Sequence, residues 1–510
     1  MNDYQGNHLA QSLAKASLGR EDAPFIYRLN GKTLSYGRFL ANAERMAAAL
    51  TDAGLKPGDR VAVQAAKTVV MLELYVGTVL AGGVFLPLNP AYTTDEVSYF
   101  LNDAAPHILV CDPARADDLA PLARSAGTGQ VWSLGADGTG SLTDRRDAHA
   151  PGFQAVPRGP EDLAAILYTS GTTGRSKGAM LSHRALESNS QTLRELWRFT
   201  ASDVLIHALP IFHTHGLFVA TNITMMAGGS LIFLPKFDAD TIIRTMPRAT
   251  AMMGVPTFYT RLLEQPGLAQ AARNMRLFIS GSAPLLDETH RRWQAVTGHA
   301  ILERYGMTET NMTTSNPHDG ERRPGTVGFA LPGVEIRVCD DNGVELPQGE
   351  IGVLEVRGPN LFSGYWKMPE KTAEEMRDDG FFITGDVTRI DSDGYLQIVG
   401  RAKDLIISGG LNVYPKEVES LIDAIDGVLE SAVIGVPHPD LGEAVVAVVV
   451  PERGARLDPA RIMAPLERSL ARFKQPKKVI LIDELPRNSM GKVQKNTLRR
   501  DHAQLFSTQT

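Results

Sequence analysis

The sequence predicts an α/β protein: a large N-terminal domain of α/β sheets with covering helices and a small β-barrel-like piece, then a small α+β C-terminal domain. Three observations carry this. Through residue 330, short apolar runs alternate with amphipathic Ala/Leu/Arg-rich segments, the pattern of a sheet covered by helices. From 331 to 400 the texture changes to closely spaced glycine and β-branched residues, with "DDNG" and "DSDG" as turn signals between short strands. After "GRAKD" (400–404) helices return among strands, as in "YPKEVESLIDAI" and "EAVVAVVVP". A boundary near Lys403 divides the chain into domains 1–402 and 403–510.

The elements follow in order. "YGRFLANAERMAAALTDAG" (36–54) reads as a helix ending on the glycine expected beyond a helix C-terminus. "RVAVQ" (60–64) and "HILVCD" (107–112) are strand candidates. Between them, "VVMLELYVGTVLAGGVFLPL" (69–88) is the longest apolar-rich stretch, but it carries Glu73, Gly82–Gly83 and Pro87. That combination suits helix–turn–strand in a core, not a membrane span. "LAAILY" (163–168), "SLIFLP" (230–235), "AMMGVP" (251–256) and "MRLFISG" (275–281) complete the buried strands.

Bulk numbers exclude several classes. At 510 residues more than one domain is expected. A net charge of −6, without a concentrated Lys/Arg tract, leaves no electrostatic footprint for nucleic acid. Two cysteines, Cys111 and Cys339, are too few for a disulfide framework and fit a reducing compartment. "MNDYQGNHLAQSL" lacks the charged and apolar regions of a signal peptide. The expectation is a cytoplasmic protein, monomer or homodimer, with no nucleic-acid partner and no membrane insertion.

The chemistry concentrates in "LYTSGTTGRSKGAML" (167–181). Leaving a strand, the chain enters Thr169, Ser170, Gly171, Thr172, Thr173, Gly174 and Lys177. Glycines permit close backbone approach, and hydroxyls with a cation suit phosphate. The GxxxxGK[ST] spacing of a Walker A loop is not met. Five further clusters stand out: "GSAPL" (281–285), "LERYGMTET" (302–310), "GFFITGD" (380–386), "GRAKDLIISGGLNVYPKEVE" (400–419) and "LPRNSMGKVQKNTLRR" (485–500). Taken singly, each is a turn or a solvated surface more often than a site. In this combination, Tyr305 suits stacking on a base, Glu309 a magnesium ion, and Asp386 two ribose hydroxyls.

These six segments, in this order and at these separations, resemble the adenylate-forming superfamily of acyl-CoA synthetases, luciferases and peptide-synthetase adenylation domains. The resemblance runs from "LSYGRFL" to "KVQKNTLRR". It implies ATP, Mg²⁺ and coenzyme A as cofactor and co-substrates. Thr169–Gly178 would grip the β- and γ-phosphates. Ser282, Ala283 and Pro284, with Arg304, Tyr305, Gly306, Met307 and Thr308, would form the adenine wall. Thr308 would lie near the α-phosphate, with Glu309 and Thr169 on the metal. Asp386 and Arg401 would hold the ribose. Lys403 would be the hinge of a mobile C-terminal domain, and Lys492 would bridge the attacking carboxylate and the α-phosphate. With no carrier domain expected after Lys492, free coenzyme A is the expected acceptor, met by Ser408, Gly409 and Gly410.

The acid must be read from the pocket. Many members have glycine before "YGMTE", where this chain has Arg304. A guanidinium on a pocket wall suits a substrate with a second carboxylate. "FHTHGLF" adds His213, expected beside the reacting groups, and His215; "PTFYTRLL" adds Arg261. "ERYGMTET" and "HTHGLF" together look like malonyl-CoA synthetases, implying malonate, with methylmalonate as a near neighbour. Arg304 could instead pair with Glu303 or Glu309 and never see substrate. An aryl- or short monocarboxylate–CoA ligase, a phosphotransferase and a non-catalytic nucleotide-binding module stay open as other readings.

Overall fold

A computed structural model describes residues 2–169, 176–409, 411–488 and 491–506. Among the described residues the strands form four sheets. The largest has nine strands, with a parallel centre of Pro24–Arg28, Ser230–Phe233, Val204–His207, Ala251–Gly254, Leu277–Ser280 and Leu302–Met307 in that spatial order. Antiparallel strands close its edges, Thr33–Ser35 on one side and Asn311–Ser315 then Phe329–Ala330 on the other. The second sheet has six strands, parallel except for the final pair Leu163–Thr169 and Lys177–Ser182.

Parallel strands buried on both faces need continuous apolar runs, and "LFIS", "AMMG" and "ILVC" are fully buried. The helix over 36–54 is Tyr36–Asp52, capped by the Ser35 side chain, which accepts from Arg38 N; Gly54 follows with φ +91°. The 69–88 stretch folds as helix Val69–Leu80 and strand Val84–Pro87, turned at Gly82 with φ +74°. Glu73 on that helix is buried against Arg146, 2.6 Å away. No helix among the described residues is long and apolar enough to cross a membrane.

The β-rich region is an antiparallel sheet of Glu335–Cys339, Gly352–Arg357, Phe382–Ile390 and Leu396–Arg401. From Ile406 onward a five-stranded sheet and its helices enclose two apolar clusters of their own, around Val433 and Val446. Cys111 and Cys339 are free and buried.

Candidate active site

The cleft is built where strand ends of the large sheets meet the turn around Lys492. The hairpin Leu163–Thr169/Lys177–Ser182 pairs Thr169 opposite Lys177. Ser170, Gly171, Thr172, Thr173 and Gly174, expected at the phosphates, lie outside the described residues, as does Gly410. Lys177 Nζ is 3.1 Å from Glu375 Oε1 and 3.9 Å from the centre of the Tyr365 ring. The Tyr365 hydroxyl lies 3.0 Å from Glu309 and 2.7 Å from Glu375, and its single proton can serve only one of them. Burial raises the Glu309 carboxyl above its ordinary range.

A second cluster forms between two β-strands. Asp386 and Arg401 face each other in antiparallel register, with Arg401 Nε 2.7 Å from Asp386 Oδ1. The Tyr305 hydroxyl donates to the other oxygen, Oδ2, at 2.5 Å. Stacking was the property that the sequence suggested for Tyr305; the structure adds a polar tie through its hydroxyl. Next to it a Cβ on Gly306 would fall 1.9 Å from the Asn311 carbonyl, so only glycine fits this bulged pairing. Met307 and Thr308 are partly buried beyond it. Lys403 sits in the turn Ala402–Asp404 directly after strand Leu396–Arg401.

Arg304 decides the character of the opposite wall. Strand alternation turns Glu303 to the other face, where it lies 3.2 Å from His290 Nδ1. Glu309 is engaged by Tyr365. The pairing of Arg304 with Glu303 or Glu309 is therefore absent, and no ion pair is made by Arg304 among the described residues. Arg304 is 3% exposed, its Nε and Nη2 make no hydrogen bond among the described residues, and burial pushes the guanidinium down to about 9. Gly281 makes room for it: a Cβ there would come 2.4 Å from Arg304 Cζ. Ser282 follows in a left-handed conformation, φ +73°, with its Oγ 3.2 Å from His215 Nδ1. Ala283 is partly buried and Pro284 exposed.

His215 opens a π-helical segment, His215–Asn222, and the His213 ring accepts from its backbone N–H at 3.3 Å. Burial drives both imidazoles down, His213 to about 3 with Lys492 and Arg304 adding to the effect, and His215 well below its ordinary value. Both are neutral near pH 7. Arg261 differs from them in being exposed. Helix Pro256–Leu263 buries Tyr259 and Leu262, which leaves position 261 on the exposed face with its guanidinium 6.0 Å from the Phe237 ring centre. One helical turn earlier on that face, Thr257 lies beside Gly491.

Lys492 enters the same cleft from the small sheet's side. Its backbone N–H donates to Asn488 Oδ1, and a Cβ on the preceding Gly491 would lie 3.5 Å from Thr257 Oγ1. The Lys492 side chain faces open cleft. The surrounding walls still desolvate it: its ammonium is lowered to about 8, with Arg401 adding to the fall and Asp386 and Glu309 opposing it. Ser408 is buried at the end of strand Ile406–Ser408, and Gly409 follows with φ +60°.

A magnesium ion fits this donor set in one way. No group of three or more His, Cys, Asp or Glu side chains able to hold a metal occurs among the described residues. Glu309 is nevertheless a buried carboxylate without a cationic ion-pair partner there, and Thr169 supplies a hydroxyl. Mg²⁺ commonly takes one or two carboxylates and completes its shell with water and substrate phosphates.

Family models agree with this arrangement. One described as AMP-binding enzyme matches residues 13–366, and one described as AMP-binding enzyme C-terminal domain matches 417–492. The chain belongs to the AMP-binding enzyme family. Among this family's members, it is 33% identical to malonate–CoA ligase of Arabidopsis thaliana, over 98% of this chain and 91% of the relative. It is 36% identical to feruloyl-CoA synthase of an Amycolatopsis species, over 93% and 95%. Against the crystal structure of ATP-bound MatB from Rhodopseudomonas palustris the TM-score is 0.96, with 59% identity over 99% of this chain and 100% of that one. Apo MatB, with the same identity and coverage, gives 0.86. The chain's arrangement thus follows the ATP-bound form more closely.

Sequence reasoning missed Glu375 and Tyr365, which lie 198 and 188 residues from the lysine they touch. "GYWKMPEKTAEEM" (364–376) carries no local pattern that points to a lysine so remote.

Proposed function

We propose that the protein is an ATP-dependent malonate–CoA ligase. It joins malonate to AMP with release of pyrophosphate, then passes the malonyl group to the sulfur of coenzyme A with release of AMP. Arg304 carries the reading, because an unpaired buried guanidinium is costly unless an anion meets it. An aryl or short aliphatic tail would leave that cost in place, whereas the distal carboxylate of malonate, or of methylmalonate, offsets it by a bidentate pair. Ser282 and His215 would line the same end of the acid, with His213 between it and Lys492.

The roles follow from charge. Malonate and the triphosphate repel, so a carboxylate oxygen reaches the α-phosphorus only with a cation between them, which Lys492 supplies. Thr308 would sit beside the α-phosphate, and Lys177 would move from Glu375 to the outer phosphates. Asp386, with Arg401 and Tyr305 holding it, would accept from the ribose hydroxyls. Glu309 and Thr169 would hold Mg²⁺, whose charge neutralises phosphate oxygens. The mixed anhydride formed is sensitive to water, which favours a closed cleft. The second half-reaction breaks the acyl–phosphate bond as the coenzyme A sulfur attacks, its thiol proton going to solvent. Lys492 must leave to admit the thiol, so we place the domain boundary at Lys403 and rotate residues 403–510 about it. Ser408, Gly409 and Gly410 would then meet the pantetheine arm. The two free cysteines favour a cytoplasmic location.

Two measurements test this. With ATP, Mg²⁺ and coenzyme A, AMP and pyrophosphate should form with malonate and, more slowly, methylmalonate, far ahead of acetate, succinate or benzoate. ADP and phosphate as sole nucleotide products would sink the proposal, and benzoate outrunning malonate would install the aryl reading. The pH profile is the other. An ammonium with pKa about 8 is present below that pH and lost above it, so kcat/KM for adenylation should fall on an alkaline limb near pH 8. Lys492→Arg, whose guanidinium keeps its charge, should lose the limb whatever its overall rate.

A further inference from the structure

Behind the His213–His215 wall lies a lysine that this reaction scheme does not use. Lys67, beside the Thr68 cap of helix Val69–Leu80, has its Nζ 2.9 Å from His207 Nδ1 and 2.9 Å from the His207 carbonyl oxygen. The Phe233 ring centre is 4.5 Å away, and among the described residues no carboxylate pairs with Lys67. His207 Nε2 is 2.8 Å from the Gly216 carbonyl oxygen, which also accepts from Thr221 Oγ1 at 3.0 Å.

The hydrogen-bond roles are fixed by elimination. A carbonyl oxygen only accepts, so His207 Nε2 carries a proton. Burial and the neighbouring Lys67 keep that ring neutral, so Nδ1 has no proton and accepts from Lys67. Lys67, His207 and Gly216 thus form one directed chain. It ends on the second residue of the π-helical segment that begins at His215, where the backbone is tightly held: a Cβ on Gly216 would lie 2.1 Å from the Pro210 carbonyl oxygen. His215 in turn touches Ser282 and faces Arg304.

We propose that Lys67 is a positioning residue for acid selection, locking the tautomer of His207 and through it the turn that aims His215 into the pocket beside Arg304. This rests on the malonate reading. Without the Lys67 donor, His207 can move its proton to Nδ1 and give up its bond to Gly216, leaving that carbonyl to Thr221 alone and loosening the wall on the acid side only. The nucleotide contacts of Asp386, Arg401 and Lys177 belong to other elements and are left as they are.

The test is a double-mutant cycle on Lys67→Met and His207→Ala, with Lys67→Gln as a second variant if the methionine protein fails to fold. KM for the acid, KM for ATP and the malonate-to-propionate ratio of kcat/KM are measured on each. Loss of Lys67 should raise KM for malonate and lower the ratio on the order of tenfold, with KM for ATP within about twofold of wild type. The double variant should be little worse than His207→Ala alone, because both act through one chain. An unchanged ratio, additive losses, or equal loss toward acid and ATP would overturn the inference. A wild-type enzyme with no preference for malonate would instead sink the proposed function. The coupling of Lys67 to His207, measured on the acid the enzyme does activate, would then still decide this inference.

Discussion

Lys492→Ala will slow adenylate formation by about 10²–10³-fold or more, the scale for removing a group that meets developing charge in a transition state. Thioester formation from supplied malonyl-adenylate and coenzyme A should stay within a few-fold of wild type. The split follows from where the charge problem lies. Two anions meet in the first half-reaction, while the second begins from an acyl-adenylate and a thiol. General damage is not expected to confuse the result. The Lys492 side chain faces open cleft and makes no ion pair among the described residues, so truncation should leave Tm almost unchanged. Pyrophosphate release reads the first half-reaction, and thioester yield from synthetic adenylate reads the second. Equal losses in both would overturn the assignment of Lys492 to the first step and, with it, the need for residues 403–510 to rotate.

Much of the architecture was legible because its signals are local. "LFIS" and "AMMG" are buried on both faces, and continuous apolar runs of that length announce such strands. Gly54 and the Gly82 turn mark where helices stop, since only glycine adopts a positive φ there without strain. The meeting of Asp386 and Arg401 has another reason: both lie in motif segments, and antiparallel pairing brings them opposite each other. What the sequence could not reveal depends on which face or which distant element a side chain meets. Glu303 stands next to Arg304 in sequence, yet strand pleating sends it to His290, leaving the arginine without an ion pair among the described residues. Arg261 gave no sign in sequence of the exposed helix face on which it lies. Lys67 meets His207 across 140 residues, and Lys177 meets Glu375 across 198. No periodicity encodes contacts of that range.

Arg304→Ala will separate recognition of the acid from catalysis of its activation. The substitution removes the one cation that strand Leu302–Met307 buries beside Gly281, Ser282 and His215. Malonate would then bring its second carboxylate into a closed site with no partner. Truncating one member of a buried charge pair costs about 2–5 kcal/mol, so kcat/KM for malonate should fall on the order of 10²–10³-fold or more. Propionate and acetate carry no second carboxylate. With them the wild-type enzyme bears the cost of an uncompensated guanidinium, and removing it should leave their low activity unchanged or raise it. A cavity lined by Gly281 could also admit a larger apolar tail, which would show as a gain with butyrate. If Arg304 were only structural, all acids would lose activity in parallel and Tm would fall with them. Measuring kcat/KM for malonate and propionate on both proteins, with Tm beside it, distinguishes the two cases. Parallel losses would move recognition of the distal carboxylate to Ser282 and His215, polar groups on the same wall.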